Sequence, residues 1–265
     1  MILEALIAAL FGLLIGSFLN VCIFRLPYDL TPANPPRSFC PKCETTIAWY
    51  DNIPLLSFFL LKGKCRSCSE PISYRYPLVE LLTAACFFLA VYRFSTSWDA
   101  LKLILLSIIC IDLIFTDFEE RILPDEFTIG GAVVGFLLAF KVILPPYFVF
   151  FLMPAESRTW VRSPLEALLS GLFCAGVLWL ARFIYFQIRH KEGMGLGDVK
   201  MVGMLGAFFG LMPALFSLMA GAMLGSVMGL LLILFAKKDA ATYEVPFGSF
   251  LGIAALGIAF FGPRF

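Results

Sequence analysis

Long apolar runs separated by short polar segments make up most of this chain. An α-helix needs roughly 20 residues to cross a bilayer, and eight runs reach or approach that length. The sixth run is short and gives the weakest signal. The pattern therefore predicts an all-α polytopic membrane protein with about eight transmembrane helices, at 2–22, 78–94, 100–116, 127–145, 164–186, 199–212, 213–236 and 246–262.

The polar segments divide this predicted architecture. The longest, residues 23–77, separates the first helix (1–22) from the remaining membrane region (78–265). Two shorter segments, near 117–126 and 187–198, fall on the same side of the predicted membrane. Because most of the 20 Lys and Arg residues lie on that side, the positive-inside rule assigns it to the cytoplasm.

Composition supports a membrane protein and excludes two other classes. Of the 265 residues, 60% are hydrophobic and 15% charged, whereas soluble domains are nearer half apolar and a quarter charged. A net charge of +1 excludes a protein that works by broad attraction to nucleic acid. Chains with this apolar content are not disordered.

Four of the eight cysteines form two Cys-x-x-Cys motifs within segment 23–77. The motifs are Cys40-Pro41-Lys42-Cys43 and Cys65-Arg66-Ser67-Cys68, with residues 44–64 between them. This spacing is close to that of structural zinc sites, in which four thiolates surround Zn²⁺ as a closed tetrahedron. Two disulfides, a redox motif or a metal-free loop remain alternatives, although structural disulfides rarely persist in a reducing cytosol. The interpretation that we favour is a zinc-ribbon-like loop on the cytoplasmic side.

Two aspartates stand at the cytoplasmic ends of predicted helices. Asp117 follows the third helix, and Asp198 precedes the sixth within Gly195-Leu196-Gly197-Asp198. Two carboxylates a few ångströms apart share a proton, which gives an acid and a base for peptide hydrolysis. Gly195 and Gly197 would leave room for an extended substrate backbone.

Other roles for these acids stay open at this stage. Asp198 could equally be the N-cap of the helix that follows it, and Asp117 could be a helix end in water. Asp112 lies inside an apolar run, where an ionisable group suggests either helix packing or function. His190, the single histidine, lies between Arg189 and Lys191 and fits a solvated basic turn better than a triad.

Several long motifs, in order, resemble the bifunctional type IV prepilin peptidases. The resemblance covers nearly the whole chain. It is carried by Gly16-Ser17-Phe18-Leu19-Asn20, the two cysteine motifs, Pro71-Ile72-Ser73-Tyr74-Arg75-Tyr76-Pro77, Asp117 with Leu123-Pro124-Asp125, Gly195-Leu196-Gly197-Asp198, and Pro246-Phe247-Gly248.

The resemblance implies a bacterial inner-membrane aspartyl protease with a second activity. Such enzymes remove the basic leader of prepilins or pseudopilins on the cytoplasmic side, and then methylate the new N-terminus with S-adenosylmethionine. By position, Asp117 and Asp198 match the family's catalytic pair. The four cysteines match its zinc-binding loop, so residues 23–77 would be linked to methyl transfer and residues 78–265 to proteolysis. No motif indicates where S-adenosylmethionine binds.

Two rival hypotheses come from other classes. One is a proton- or cation-coupled transporter in which Asp112, Asp117 and Asp198 relay ions and the zinc loop forms a cytoplasmic cap. The other is a non-catalytic scaffold of a secretion or pilus machine. Both are weakened by the placement of Asp117 and Asp198 at one face of the membrane.

Overall fold

A computed structural model describes residues 1–153, 158–191, 193–236 and 245–262. Within these ranges the regular elements are helices, and the only β pairing consists of two isolated bridges. The prediction of an all-α chain is confirmed. The α-helices are α1 (Ile2–Arg25), α2 (Leu56–Leu60), α3 (Arg75–Phe94), α4 (Trp98–Glu120), α5 (Asp125–Leu138), α6 (Val149–Leu152), α7 (Thr159–Arg189), α8 (Leu196–Phe209), α9 (Leu211–Ala236) and α10 (Phe247–Phe261).

Each of the eight predicted spans overlaps a helix, although the predicted span 127–145 continues beyond the end of α5 at Leu138; the count of eight spans is not confirmed. In the described residues, four helices are long and apolar enough to cross a membrane: Ile2–Tyr28, Arg75–Phe94, Thr159–Arg189 and Leu211–Leu232. α4 is long, but charged residues interrupt its apolar run. α8 has 14 residues, which gives about 21 Å against a hydrocarbon core of about 30 Å. Ten of those 14 residues are buried, so the apolar character of α8 reflects its place in a protein interior.

The first compact unit, Met1–Asp112, is built on the pairing of α1 with α3. A Cβ added to Gly12 or Gly16 would lie 2.7 Å from the backbone of Ala84 or Glu80, so these glycines allow the two helices to approach closely. Asn20 then donates to the carbonyl of Tyr76 at 3.1 Å.

Two buried charged residues attach the polar segment of this unit to its helices. Arg25, at the end of α1, donates to the carbonyl oxygens of Pro32 (2.7 Å) and Pro35 (2.8 Å). Glu80, on α3, accepts the N–H of Leu55 at 2.8 Å. Because each charged group has hydrogen-bonding partners, its burial is compensated and the segment is held in place.

The second compact unit, Leu113–Phe265, surrounds α8. α8 packs against α5, α7, α9 and α10. A Cβ on Gly206 would meet the carbonyl of Ser170 at 2.7 Å, and one on Gly135 would meet the ring of Phe208 at 2.7 Å. Small residues thus let neighbouring helices close around α8, and the first turn of α8 carries Asp198.

Candidate active site and cysteine cluster

Asp117 lies in the last turn of α4, and its side chain is buried, with 6% exposed. The helix ends shortly afterwards, where Arg121 takes a positive φ and its guanidinium donates to the carbonyls of Asp117 and Phe118. The carboxylate contacts the first turn of α10. Oδ2 accepts the backbone N–H of Ser249 at 2.7 Å and lies 2.9 Å from the Ser249 hydroxyl. The alternative that Asp117 is a helix end in water is therefore wrong.

Asp198 is the third residue of α8, and the N-cap position belongs to Gly195. The Asp198 carboxylate accepts the N–H of Gly195, as the third residue of a capping box does. The N-cap role considered for Asp198 is therefore wrong, because Gly195, three residues earlier, is the N-cap. The side chain of Asp198 nevertheless stabilises the start of the helix. The preceding loop is attached to α7 through Arg182, whose Nε donates to the carbonyl of Met194 at 2.9 Å.

The two aspartates interact electrostatically. Burial, reinforced by the negative charge of Asp117, raises the pKa of Asp198 to about 7. Burial also raises the pKa of Asp117 above its ordinary value, while the hydrogen bonds from Ser249 and the charge of Arg121 oppose that rise. Both residues lie outside the four helices that qualify as membrane spans. The structure therefore brings together the pair that the sequence singled out, and it favours a state in which the pair holds one proton near neutral pH.

Leu123 fills the space between the two helix starts that border this pair. A Cβ on Gly197, at the start of α8, would lie 2.9 Å from Leu123 Cβ, and one on Gly248, at the start of α10, would lie 2.9 Å from Leu123 Cδ2. Lys200 pairs with Asp125 at 2.6 Å and joins the starts of α8 and α5. The turn after α4 is thus packed between the helices that carry Asp198 and Ser249.

That Gly195 and Gly197 leave room for a substrate backbone stays a prediction. Gly197 also has a role in packing. A Cβ on Gly195 would meet its nearest neighbour, Asp198 Oδ2, at 3.5 Å, an ordinary contact. The corresponding position at Gly197 is occupied by Leu123. Only Gly197 is therefore required as glycine by packing.

We expect Gly197→Ala to lower the stability of the protein by about 1–3 kcal/mol, the usual cost of overpacking. Displacement of the first turn of α8 should also lower, by about 10- to 100-fold, an activity that depends on Asp198, since small misplacements of reacting groups are costly. Gly130→Ala is the matched control, because a Cβ there meets nothing within 4 Å. Thermal melting of the purified variants checks the first effect; equal melting temperatures would contradict the contact with Leu123.

The four cysteines of the polar segment form one cluster. The Sγ atoms of Cys40, Cys43, Cys65 and Cys68 all lie within 4.8 Å of one another. The two motifs have the same backbone pattern: the N–H of Cys40 donates to Thr45 O at 3.0 Å, and the N–H of Cys65 donates to Glu70 O at 2.8 Å. An isolated antiparallel bridge closes each turn, Phe39 with Thr46 and Lys64 with Pro71.

This cluster has the donor set and the dimensions of a tetrahedral metal site. Four sulfur ligands at the usual Zn–S distance are separated by about 3.8 Å, and the Sγ atoms of Cys40 and Cys68 are 3.8 Å apart. All eight cysteines are free thiols, so the disulfide alternative receives no support from the structure. The four sulfur donors and the size of the cluster therefore fit a zinc ion.

Two residues noted in the sequence lie apart from these sites. Asp112 is fully buried in α4, and its role stays a prediction. His190 is exposed at the C-cap of α7 in a left-handed conformation, which agrees with a solvated turn. The sequence pattern indicates no separate role for Ser249 or Leu123, although both lie within or beside the motifs that carry the resemblance.

Fold and site together define a helical protein that has helices long and apolar enough to cross a membrane and an interacting pair of aspartates, one buried and one half-buried. Two family models match the chain: the bacterial Peptidase A24 N-terminal domain over residues 10–94, and the type IV leader peptidase family over residues 104–230. The chain belongs to the type IV leader peptidase family. This confirms the resemblance seen in the sequence.

Individual relatives agree with this assignment. The three relatives described here are each named prepilin leader peptidase/N-methyltransferase. The Aeromonas hydrophila protein is 34% identical over 92% of this chain and 86% of its own length, and that of Xanthomonas campestris is 33% identical over 96% and 90%. The Myxococcus xanthus protein is 36% identical over 88% of this chain, which spans only 64% of that protein's length. No solved structure matches the chain significantly.

Proposed function

We propose that this protein is an aspartyl endopeptidase that removes the leader of type IV prepilins or pseudopilins and then methylates the new N-terminal amine. The observation that carries the proposal is the interacting pair of Asp117, which is buried, and Asp198, which is half-buried; their mutual repulsion and partial burial favour a shared proton. The names of the relatives supply the substrate class and the second activity. Proteolysis belongs to residues 78–265 in this proposal, and methyl transfer is linked to residues 23–77.

Proteolysis by this pair needs one ionised and one protonated carboxyl group. The oxygen of a water molecule bonds to the scissile carbonyl carbon while one of its protons moves to the ionised carboxylate. The protonated carboxyl group gives its proton to the carbonyl oxygen, which yields a neutral diol. Collapse of the diol then breaks the C–N bond. The carboxyl group that received the water proton gives it to the departing amine nitrogen, and the other carboxylate takes up the proton of one diol hydroxyl as the C=O bond re-forms.

This chemistry predicts a bell-shaped pH dependence of leader cleavage. Cleavage should fall as the pH rises past about 7, because Asp198 then loses the proton that the reaction needs. It should fall again in acid, where the second carboxylate of the pair takes up a proton; the two limbs report the pair as a whole. The rate of cleavage of a purified prepilin in detergent, measured from pH 4 to 9, checks the shape. A rate that stays constant through pH 9 would contradict a shared proton.

The cysteine cluster is proposed to hold one structural zinc ion. All four ligands come from protein, which leaves no open position for a substrate. When bound, zinc crosslinks the two turns of the 23–77 segment. The support is the sulfur donor set, its distances and the repeated backbone pattern of the turns.

S-adenosylmethionine is proposed to bind to the 23–77 segment and the nearby helix ends. A cavity of about 320 Å³ at the end of α1 supports this placement, since small-molecule sites begin near that size, at about 300 Å³. Ser17, Phe18, Arg25, Arg37 and Asn52 are among its lining residues. Arg37 is exposed and offers a cation for the carboxylate of the methyl donor, and the donor supplies the methyl group.

The setting proposed is the bacterial inner membrane, with the aspartate pair facing the cytoplasm and about eight spans in all. The Lys and Arg residues of segments 23–77 and 187–198 support this orientation, because the positive-inside rule counts cations near the ends of the spans. Substrate and enzyme then share one bilayer, which raises their effective concentration. Acidic residues near the pair would attract a leader rich in Lys and Arg: Glu119, Glu120, Asp125 and Glu126.

A further inference from the structure

Ser249 makes two contacts with a single oxygen of Asp117. Its backbone N–H donates to Oδ2 at 2.7 Å, and its Oγ lies 2.9 Å from the same oxygen. The side chain of Ser249 is buried, with 2% of the residue exposed. No other side-chain contact described in the structure joins the first turn of α10 to an acid of the pair.

The backbone contact comes from a position that suits an anion. Ser249 is the third residue of α10, which starts at Phe247 after the N-cap Pro246. The first N–H groups of a helix have no partner within the helix, and the helix dipole places partial positive charge there. The carboxylate of Asp117 therefore caps α10 from another helix, and this contact stabilises its ionised form.

The hydroxyl of Ser249 has a second neighbour that limits what it can do. Its Oγ also lies 2.8 Å from the carbonyl oxygen of Ile114, and a serine hydroxyl has one proton to donate. When Asp117 is ionised, that proton can turn to Oδ2. When Asp117 is neutral, it can remain with Ile114. The hydroxyl therefore adds a hydrogen bond that is specific to the charged form of Asp117.

We infer that Ser249 is a positioning residue that keeps Asp117 as the ionised member of the pair, so that Asp117 acts as the general base and Asp198 as the general acid. With both contacts on Oδ2, the proton from water goes to Oδ1 of Asp117, and Asp198 gives its proton to the substrate carbonyl. The inference rests on the function proposed above, because it assigns roles within that aspartate pair.

The other charges around Asp117 agree with this assignment. The charge of Arg121, at the end of the same helix, lowers the pKa of Asp117, and the charge of Asp117 raises the pKa of Asp198 on α8. Asp198 has no hydroxyl partner of this kind among the contacts described for it, and it carries the pKa of about 7. The acid limb of the pH profile belongs to the pair, and it should therefore respond to loss of the contacts between Ser249 and Asp117.

The test is the pH dependence of leader cleavage by full-length Ser249→Ala, with a purified type IV prepilin as probe. This change removes the hydroxyl and keeps the backbone N–H. Loss of a hydrogen bond to a charged group should move the acid limb to higher pH by about one unit. The alkaline limb should move less. Ser217→Ala is the matched control, because Ser217 is also buried in the second unit and donates only to the carbonyl of Pro213 at 2.8 Å.

A second variant, Ser249→Cys, keeps the inference testable if Ser249→Ala does not fold. Ser249→Cys has nearly the same size, but a thiol is a weak donor, so it should shift the acid limb in the same direction. An acid limb that coincides with wild type in both variants would overturn the inference while leaving the protease intact. Absence of cleavage by the wild type, or normal cleavage by Asp117→Asn, would instead overturn the proposed function and this assignment together.

Discussion

Asp117→Asn and Asp198→Asn should each lower the rate of leader cleavage by about 10²- to 10⁴-fold, the usual contribution of a positioned acid or base. Asparagine has nearly the same shape as aspartate, but it can neither take a proton from water nor give one to the carbonyl oxygen. The two single variants and the double variant should be similarly impaired, because the pair acts as a unit. Initial rates with a purified prepilin measure the loss.

The control for these variants is Asp99→Asn. Asp99 lies in the first turn of α4, at the opposite end of the helix from Asp117, and it is exposed. The substitution removes the same charge from the same helix and should leave cleavage near the wild-type rate. A variant of Asp117 or Asp198 that cleaves as fast as Asp99→Asn would remove that residue from the mechanism.

The thermal stability of Asp198→Asn shows whether this variant is inactive because it lacks the acid or because it does not fold. The pKa of Asp198 is raised to about 7 from an ordinary value of 3.8, so between these values the folded protein holds a proton that the unfolded chain has lost. Stability from this group therefore declines as the pH rises towards 7, and the cost of burying the charge is complete above it. Asp198→Asn removes that cost. It should melt at a higher temperature than wild type at pH 8 and at nearly the same temperature at pH 4.

The second large effect concerns metal content. Replacement of Cys40 and Cys43 by serine removes two of the four thiolates, and the bound zinc should fall from about one ion per chain to nearly none. Structural zinc contributes about 10–16 kcal/mol of binding free energy in small domains, so the 23–77 segment should also become more sensitive to proteolysis. Elemental analysis of the purified protein in detergent measures the metal directly.

Cys86→Ser is the appropriate control for the cysteine variants. Cys86 lies on α3 and is not a member of the four-sulfur cluster. Its replacement should leave the zinc content unchanged, which separates loss of a ligand from loss of a thiol. Equal metal content in the control and in the double variant would refute the zinc site.

Features of the site that depend on residues close together in the sequence can be predicted from the sequence. The cysteine cluster needs only two tight turns and the loop between them, and both turns are defined by spacing within four residues. Apolar runs likewise predict the helices, and each of the eight predicted spans overlaps a helix. Length and apolar content alone do not show whether a helix such as α8 crosses the bilayer or lies inside the protein.

The contacts that define the chemistry were not predictable in the same way. Ser249 is 132 positions from Asp117 in the sequence. Nothing in the local pattern at Pro246-Phe247-Gly248 indicates which residues the first turn of α10 contacts. Leu123 likewise contacts glycines from two other helices. Such contacts arise from helix packing. The hydrophobic periodicity of one segment does not show which distant segment packs against it. Burial, which raises the pKa of Asp198, becomes visible only once the packing is known.

The most direct test of the central claim is mass spectrometry of a type IV prepilin incubated in detergent with the purified protein and S-adenosylmethionine, with Asp198→Asn in parallel. The account predicts that wild type yields a product lacking the leader and carrying one added methyl group at the new N-terminus, while the variant leaves the prepilin intact. An intact prepilin after incubation with wild type, across pilin and pseudopilin clients, would contradict the account and favour a transporter or scaffold.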